Sequence, residues 1–107
     1  MILGEEHGNL EILDTESMKI VSTKHIKNFG QYLNYLRPTS NEEEFGIATF
    51  NGLFFFTVTE SNGKKVIKKS KEKYYEGLNI SVFGELNKTE ILVVSADKGW
   101  ASVVNRE

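Results

Sequence analysis

The chain has 107 residues, 39% hydrophobic and 11% aromatic, enough Phe, Tyr, Ile and Val to build the core of one small domain. A formal net charge of −2 gives no overall bias toward nucleic acid or an anionic membrane, and the lack of cysteine excludes a disulfide framework and thiolate metal sites. No apolar run approaches the ~18 residues of a membrane-spanning helix and nothing after Met1 reads as a signal segment, so the expected location is intracellular, cytoplasmic or nuclear.

In chain order, short apolar runs bounded by Gly, Asn, Asp and Ser predict strands near 1–6, 10–14, 18–24, 32–36, 45–50, 53–59, 64–69, 78–83, 91–96 and 100–104. Helical periodicity is hard to find. Pro38, the only proline, falls between strands, where its missing N–H breaks no ladder. Asn51-Gly52 predicts a two-residue type I′ hairpin, and Ser61-Asn62-Gly63-Lys64 predicts a second hairpin. Leu53–Phe56 and Ile91–Val94 are apolar on consecutive residues, which predicts strands covered on both faces.

One phrase recurs three times: an apolar run, a tight turn ending in glycine, a second apolar run. It is Ile2-Leu3 to Gly8 and Leu10–Leu13, then Phe45–Phe50 with Asn51-Gly52 and Leu53–Phe56, then Ile91–Ala96 with Asp97-Lys98-Gly99 and Trp100–Val104. The turn glycines Gly8, Gly52 and Gly99 lie 44 and 47 residues apart. A period of about 40–50 residues with several short strands per unit marks a propeller blade.

The residues in these units resemble the WD-repeat β-propeller family. Tyr32–Pro38 and Leu78–Gly84 are similar to the family's first strand and its aromatic-Ser-Pro turn. Ser95-Ala96-Asp97-Lys98-Gly99 is similar to Ser-x-Asp-Gly with one residue inserted, and Leu13-Asp14 and Val104-Asn105 stand where Trp-Asp would be. His25 falls near the histidine of the Gly-His pair, with Lys24 in place of the glycine. The resemblance implies that His25 faces Asn51 in a neutral version of the family's His–Asp link, with Tyr74 or Tyr75 in the histidine's place in the next unit. It implies an all-β fold of antiparallel four-stranded blades, partial, about two in number. Residues 1–31 would be the tail of a first blade, 32–77 a complete blade, and 78–107 the first three strands of a further one. Since a ring needs at least ~4 blades, the expectation is part of a longer chain or of an oligomer.

Chemistry-bearing constellations are sparse. His7 and His25 are the only histidines and lie in separate predicted hairpins, so no metal site is expected, and nothing predicts a cofactor. No nucleophile-elbow context or Gly-rich phosphate loop is present, so no catalytic residue is expected. Glu42-Glu43-Glu44 reads as a solvated connector, since consecutive residues on an extended loop diverge. Trp100 reads as packing between blades.

The local anomaly is the stretch from Lys64 to Tyr75, where six of the eleven lysines fall within ten residues of a net acidic chain. On an outer strand, lysines discourage edge-to-edge pairing. The same residues, Lys68, Lys69, Lys71 and Lys73 with Tyr74 and Tyr75, are the candidate binding residues, as a contact for an acidic protein surface, phospholipid head groups or an RNA backbone. Without arginine the strip lacks the bidentate fork of a specific phosphate reader, so no specific nucleic acid is expected. The reading is therefore a non-catalytic protein–protein interaction scaffold of the WD-repeat propeller type. The alternative is a small closed β-barrel or pleckstrin-homology-like module that binds lipid head groups or a peptide.

Overall fold

A computed structural model describes residues 2–4, 9–25 and 33–107. The protein is all-β, with ten strands in antiparallel sheets and no helix among those residues. Accordingly, no described helix is long and apolar enough to cross a membrane.

The strands form three meanders in chain order. The first sheet is β1 (Ile2–Gly4), β2 (Asn9–Asp14) and β3 (Lys19–His25). The middle sheet is β4 (Leu33–Pro38), β5 (Glu44–Thr49), β6 (Gly52–Ser61) and β7 (Lys64–Tyr74). The third is β8 (Val82–Glu85), β9 (Glu90–Ser95) and β10 (Trp100–Asn105). None of the three closes on itself.

Period-two geometry explains how they stack. Along β5 and β6, Phe45, Ile47, Phe54 and Phe56 face the first sheet and bury Leu10 and Ile12. Their neighbours Ala48, Leu53 and Phe55 face the third sheet and bury Ile80, Phe83, Ile91 and Val93. The middle sheet thus has apolar cover on both faces, as the unbroken run Leu53–Phe56 requires. Ile91 and Val93 are buried likewise, but Leu92 and Val94 are only partly covered, because no described layer lies over the outer face of the third sheet. On the edges, β3 lies beside β7 and β4 beside β8.

Gly46 sets the spacing between the middle and third sheets. A Cβ there would lie 2.5 Å from Cζ of Phe83, so the missing side chain is the space that the ring fills. Phe83 is held edge-on by Tyr35 and Phe55, with centroids 5.7 and 6.1 Å away.

Three expectations about strands and turns need correction. Pro38 lies not between strands but at the end of the edge strand β4, opposite Phe45. The Asn51-Gly52 hairpin is not type I′: Thr49 pairs with Gly52, the central residues are Phe50 and Asn51, and neither has positive φ. Gly52 follows the turn at φ 122°, and the Thr49 hydroxyl satisfies the corner by donating to the Gly52 carbonyl (3.0 Å) and accepting from Asn51 N–H (2.9 Å). The type I′ geometry belongs to the other hairpin, where Asn62 and Gly63 have φ of 52° and 77° between the paired Ser61 and Lys64. The strand expected at 78–83 begins instead at Val82. The residues before it bond back to other strands, Ile80 N–H to Thr49 C=O (2.9 Å) and Ser95 hydroxyl to Asn79 C=O (2.7 Å), and so act as a strap between sheets.

Replacement of Gly52 by Val is expected to destabilise by about 2 kcal/mol, a fall in Tm of roughly 10 °C, through positive-φ strain. A Cβ there also lies 2.9 Å from the Tyr74 carbonyl oxygen and 3.1 Å from Glu76 Cα. Replacement of Gly46 by Ala is expected to cost about 1–3 kcal/mol by overpacking against Phe83. Thermal denaturation followed by far-UV circular dichroism checks both, and an unchanged Tm for Gly46→Ala refutes the close stacking of these sheets.

Candidate functional site

All six candidate residues sit on or just after β7, the last strand of the middle sheet. Four of them, Lys68, Lys69, Lys71 and Lys73, are exposed, and Tyr74 and Tyr75 are half-buried. The strand pairs with β6 on one side, and no described strand pairs with its other edge. Opposite Phe55 the register slips: Phe56 faces Lys69 and Phe54 faces Lys73, which leaves Ser70, Lys71 and Glu72 in a bulge. The Ser70 hydroxyl accepts from Glu72 N–H at 3.1 Å and ties that bulge.

Strand parity distributes the lysines over both faces. Lys65, Lys69 and Lys73 share the side of Ile67, toward the first sheet, while Lys64 and Lys68 share the side of Thr57 and Thr59, toward the third. Lys69 Nζ lies 4.7 Å from the Phe54 ring centroid, and Lys73 pairs with Glu76 at 2.9 Å. Beside this edge a groove of about 560 Å³ runs between the loop after β2 and the β6–β7 hairpin, lined by Asp14, Val21, Glu60, Lys64 and Lys65. Hydrogen bonds from Glu16 N–H and the Ser17 hydroxyl hold the Asp14 carboxyl below its usual range, with Lys65 a smaller contributor.

The two tyrosines join the third sheet rather than the lysine row. The Tyr75 ring tilts against Trp100 with centroids 4.9 Å apart, and its hydroxyl donates to Ser102 Oγ at 2.8 Å. The Tyr74 hydroxyl donates to the Glu72 carboxylate at 2.5 Å. Burial, with that carboxylate second, pushes the Tyr74 pKa up to about 12. His25 ends β3 opposite Asn9, and Asn51 lies in the β5–β6 turn with its carbonyl accepting from Gly77 N–H (3.2 Å).

An ion cluster that the sequence did not reveal binds the middle sheet to the third. Arg106, just past β10, reaches back across Phe55 and grips Glu44 with both terminal nitrogens, each at 2.9 Å. It also holds Glu72 through Nε at 2.7 Å and Nη2 at 2.8 Å. The guanidinium lies 3.9 Å from the Phe55 centroid. The Arg106 and Glu44 side chains are only 10% and 11% exposed. Glu44 is therefore not part of a solvated connector: it opens β5 facing the third sheet, whereas Glu42 and Glu43 stay in solvent. Parity was a usable signal here, since Glu44, Gly46 and Ala48 share one face, as was Glu72, the lone acid in the lysine stretch.

Burial raises the Glu44 pKa, but hydrogen bonds from Arg106, Thr39 and Asn41 outweigh it and hold the carboxyl below its ordinary value. For Glu72 the Arg106 hydrogen bonds come first, burial opposes them, and the net is again low. Among the described residues no group of three metal-ligating side chains converges.

With both carboxyls depressed in the fold, their contribution is present above the unfolded carboxylate pKa of about 4.3 and is lost as pH falls through the folded values. Urea unfolding at stepped pH is therefore expected to show stability dropping below about pH 4, with a shallower drop in Glu44→Gln. At pH 7, Arg106→Gln is expected to cost between the ~1 kcal/mol of an exposed pair and the ~3–5 kcal/mol of a fully buried one. Equal acid profiles for Glu44→Gln and the wild type refute the linkage. No family model matches the chain, and neither the curated proteins nor the solved structures contain a match to it.

Proposed function

We propose that this protein is a non-catalytic protein–protein interaction scaffold, built as a partial β-propeller of the WD-repeat type. The supporting observation is the stacking. Three antiparallel meanders follow in chain order, each covers one face of the next, and the neighbours at the edges are last strand with last (β3, β7) and first with first (β4, β8). A four-stranded meander stacked in this manner between two three-stranded ones is how complete and partial blades would pack around a ring. Thr49 ends β5 and Ser95 ends β9, both are buried hydroxyl residues, and both bond the strap before β8, Thr49 through its carbonyl and Ser95 through its hydroxyl.

Two further observations favour binding over turnover. The acidic and basic groups that are brought together, Glu44, Glu72 and Arg106, are consumed in mutual hydrogen bonds that join sheets. The outer face of the third sheet presents Val82, Val94, Ala101 and Val103, with Val82 and Val103 41% and 51% exposed. Such a face calls for another sheet, from further chain or a second copy. The alternative, a closed barrel that reads lipid or peptide, needs one continuous sheet, and the described residues form three.

Sedimentation and hydrogen exchange test the proposal together. The 107-residue chain is expected to self-associate at micromolar concentration, and Val82→Lys with Val103→Lys is expected to abolish association while the sheets remain folded. A wild-type chain that is monomeric and protects its amides throughout 91–104 overturns the partial-propeller reading.

A further inference from the structure

We infer that the free edge of β7 is a docking edge for an acidic, extended segment of a partner protein, which adds to the middle sheet as a fifth strand. This deepens the scaffold reading by naming the partner's chemistry, and it rests on that reading only in taking the protein to be a binding module.

Three observations converge on the edge. First, from Lys64 to Lys69 the strand is regular and no described strand pairs with its outer edge, so among the described residues its outward N–H and C=O groups form an unused row. A strand presented this way captures an extended peptide through main-chain hydrogen bonds, with side chains setting the choice of peptide. Second, the lysines stand on both faces of that strand, Lys65 and Lys69 on one and Lys64 and Lys68 on the other. An added strand alternates its own side chains above and below the sheet, so carboxylates opposite Lys64, Lys65, Lys68 and Lys69 meet a lysine on either face. A membrane or a nucleic-acid backbone is read from one plane, and lysine alone makes a poor phosphate fork. Third, Lys64, Lys68 and Lys71 make no ion pair among the described residues, so their charge is not consumed inside the fold. The edge repels a second copy of itself and neutral strands gain little from it, so charge selects the partner. The bulge at 70–72 ends the regular ladder and limits the added strand to about six residues.

The probe is a capped ten-residue peptide of alternating Glu and Thr. Its controls are the same peptide with Gln for Glu and the same peptide with every second amide N-methylated. The Glu peptide is expected to slow amide exchange across 64–69 and to weaken with rising salt. Loss of Lys64 and Lys68 to Gln, which removes no ion pair among the described residues, is expected to weaken it about fivefold at unchanged Tm, since two exposed pairs sum to roughly 1 kcal/mol. The N-methylated and Gln peptides are expected to bind at least about tenfold more weakly, having lost the main-chain bonds or the charge. Equal binding of the N-methylated peptide overturns strand addition. Tighter binding of phosphatidylserine vesicles or single-stranded RNA than of the Glu peptide at the same salt overturns the choice of partner. Absence of any exchange change at 64–69 overturns the edge as a site, and it does so whether or not the amides at 91–104 support the partial propeller.

Discussion

At the centre of the molecule a side chain is missing, and two sheets close on the gap. Gly46 lets the Phe83 ring lie against β5, and Phe55 takes contact from Phe83 on one side and the Arg106 guanidinium on another. Along the third-sheet face of β5 the sequence reads Glu44, Gly46, Ala48: an acid at the rim, nothing at the centre, a methyl beyond. That order permits close apolar stacking inside and an ion pair where the stack meets solvent. A Cβ at 46 would lie 2.5 Å from the Phe83 ring, so any other residue there forces the ring to move.

The bulge in β7 serves the same junction. Two extra residues opposite Phe55 bend the strand so that Glu72 turns inward to Arg106 and Tyr74, while Lys71 and Lys73 remain outside. One strand thus acts as a clamp on its third-sheet face and as a lysine-lined edge elsewhere. The contact with the first sheet is of another kind, aliphatic Leu10 and Ile12 on Phe45, Phe54 and Phe56, and it depends on area rather than on directional bonds. The hairpin ends follow the same economy of side-chain oxygen: Thr49 closes one corner and Asp14 another, by accepting from Glu16 N–H at 3.1 Å and the Ser17 hydroxyl at 3.0 Å.

Much of the element list was legible because strand signals are local. The Asn62-Gly63 turn and the double-sided run Leu53–Phe56 follow from positive φ and period-two burial, which neighbouring residues report directly. The misplaced features depend on distant partners. Phe50-Asn51 takes the turn because Gly52 is wanted one step later, where β7's end leaves no room for a Cβ. Leu78 to Ser81 carries strand-like residues, yet its N–H and C=O groups are claimed by Thr49, Val94 and Ser95 before a ladder can start. The lysine row was visible as composition, but its distribution over two faces, and the departure of Tyr74 and Tyr75 toward Trp100 and Glu72, depend on register.

The amino-acid order by itself determined an all-β chain of short antiparallel strands, its turns to within a residue, and a basic stretch in an acidic protein. These are properties of neighbours along the chain: alternation of burial, the φ that glycine and asparagine accept, and charge per unit length. Only the tertiary structure decided that Glu44, Glu72 and Arg106 meet, that Gly46 is a socket for Phe83, and that no described strand pairs with the outer edge of β7. The groups that meet lie 34 to 62 residues apart in sequence, and no local preference encodes which sheet will close over which.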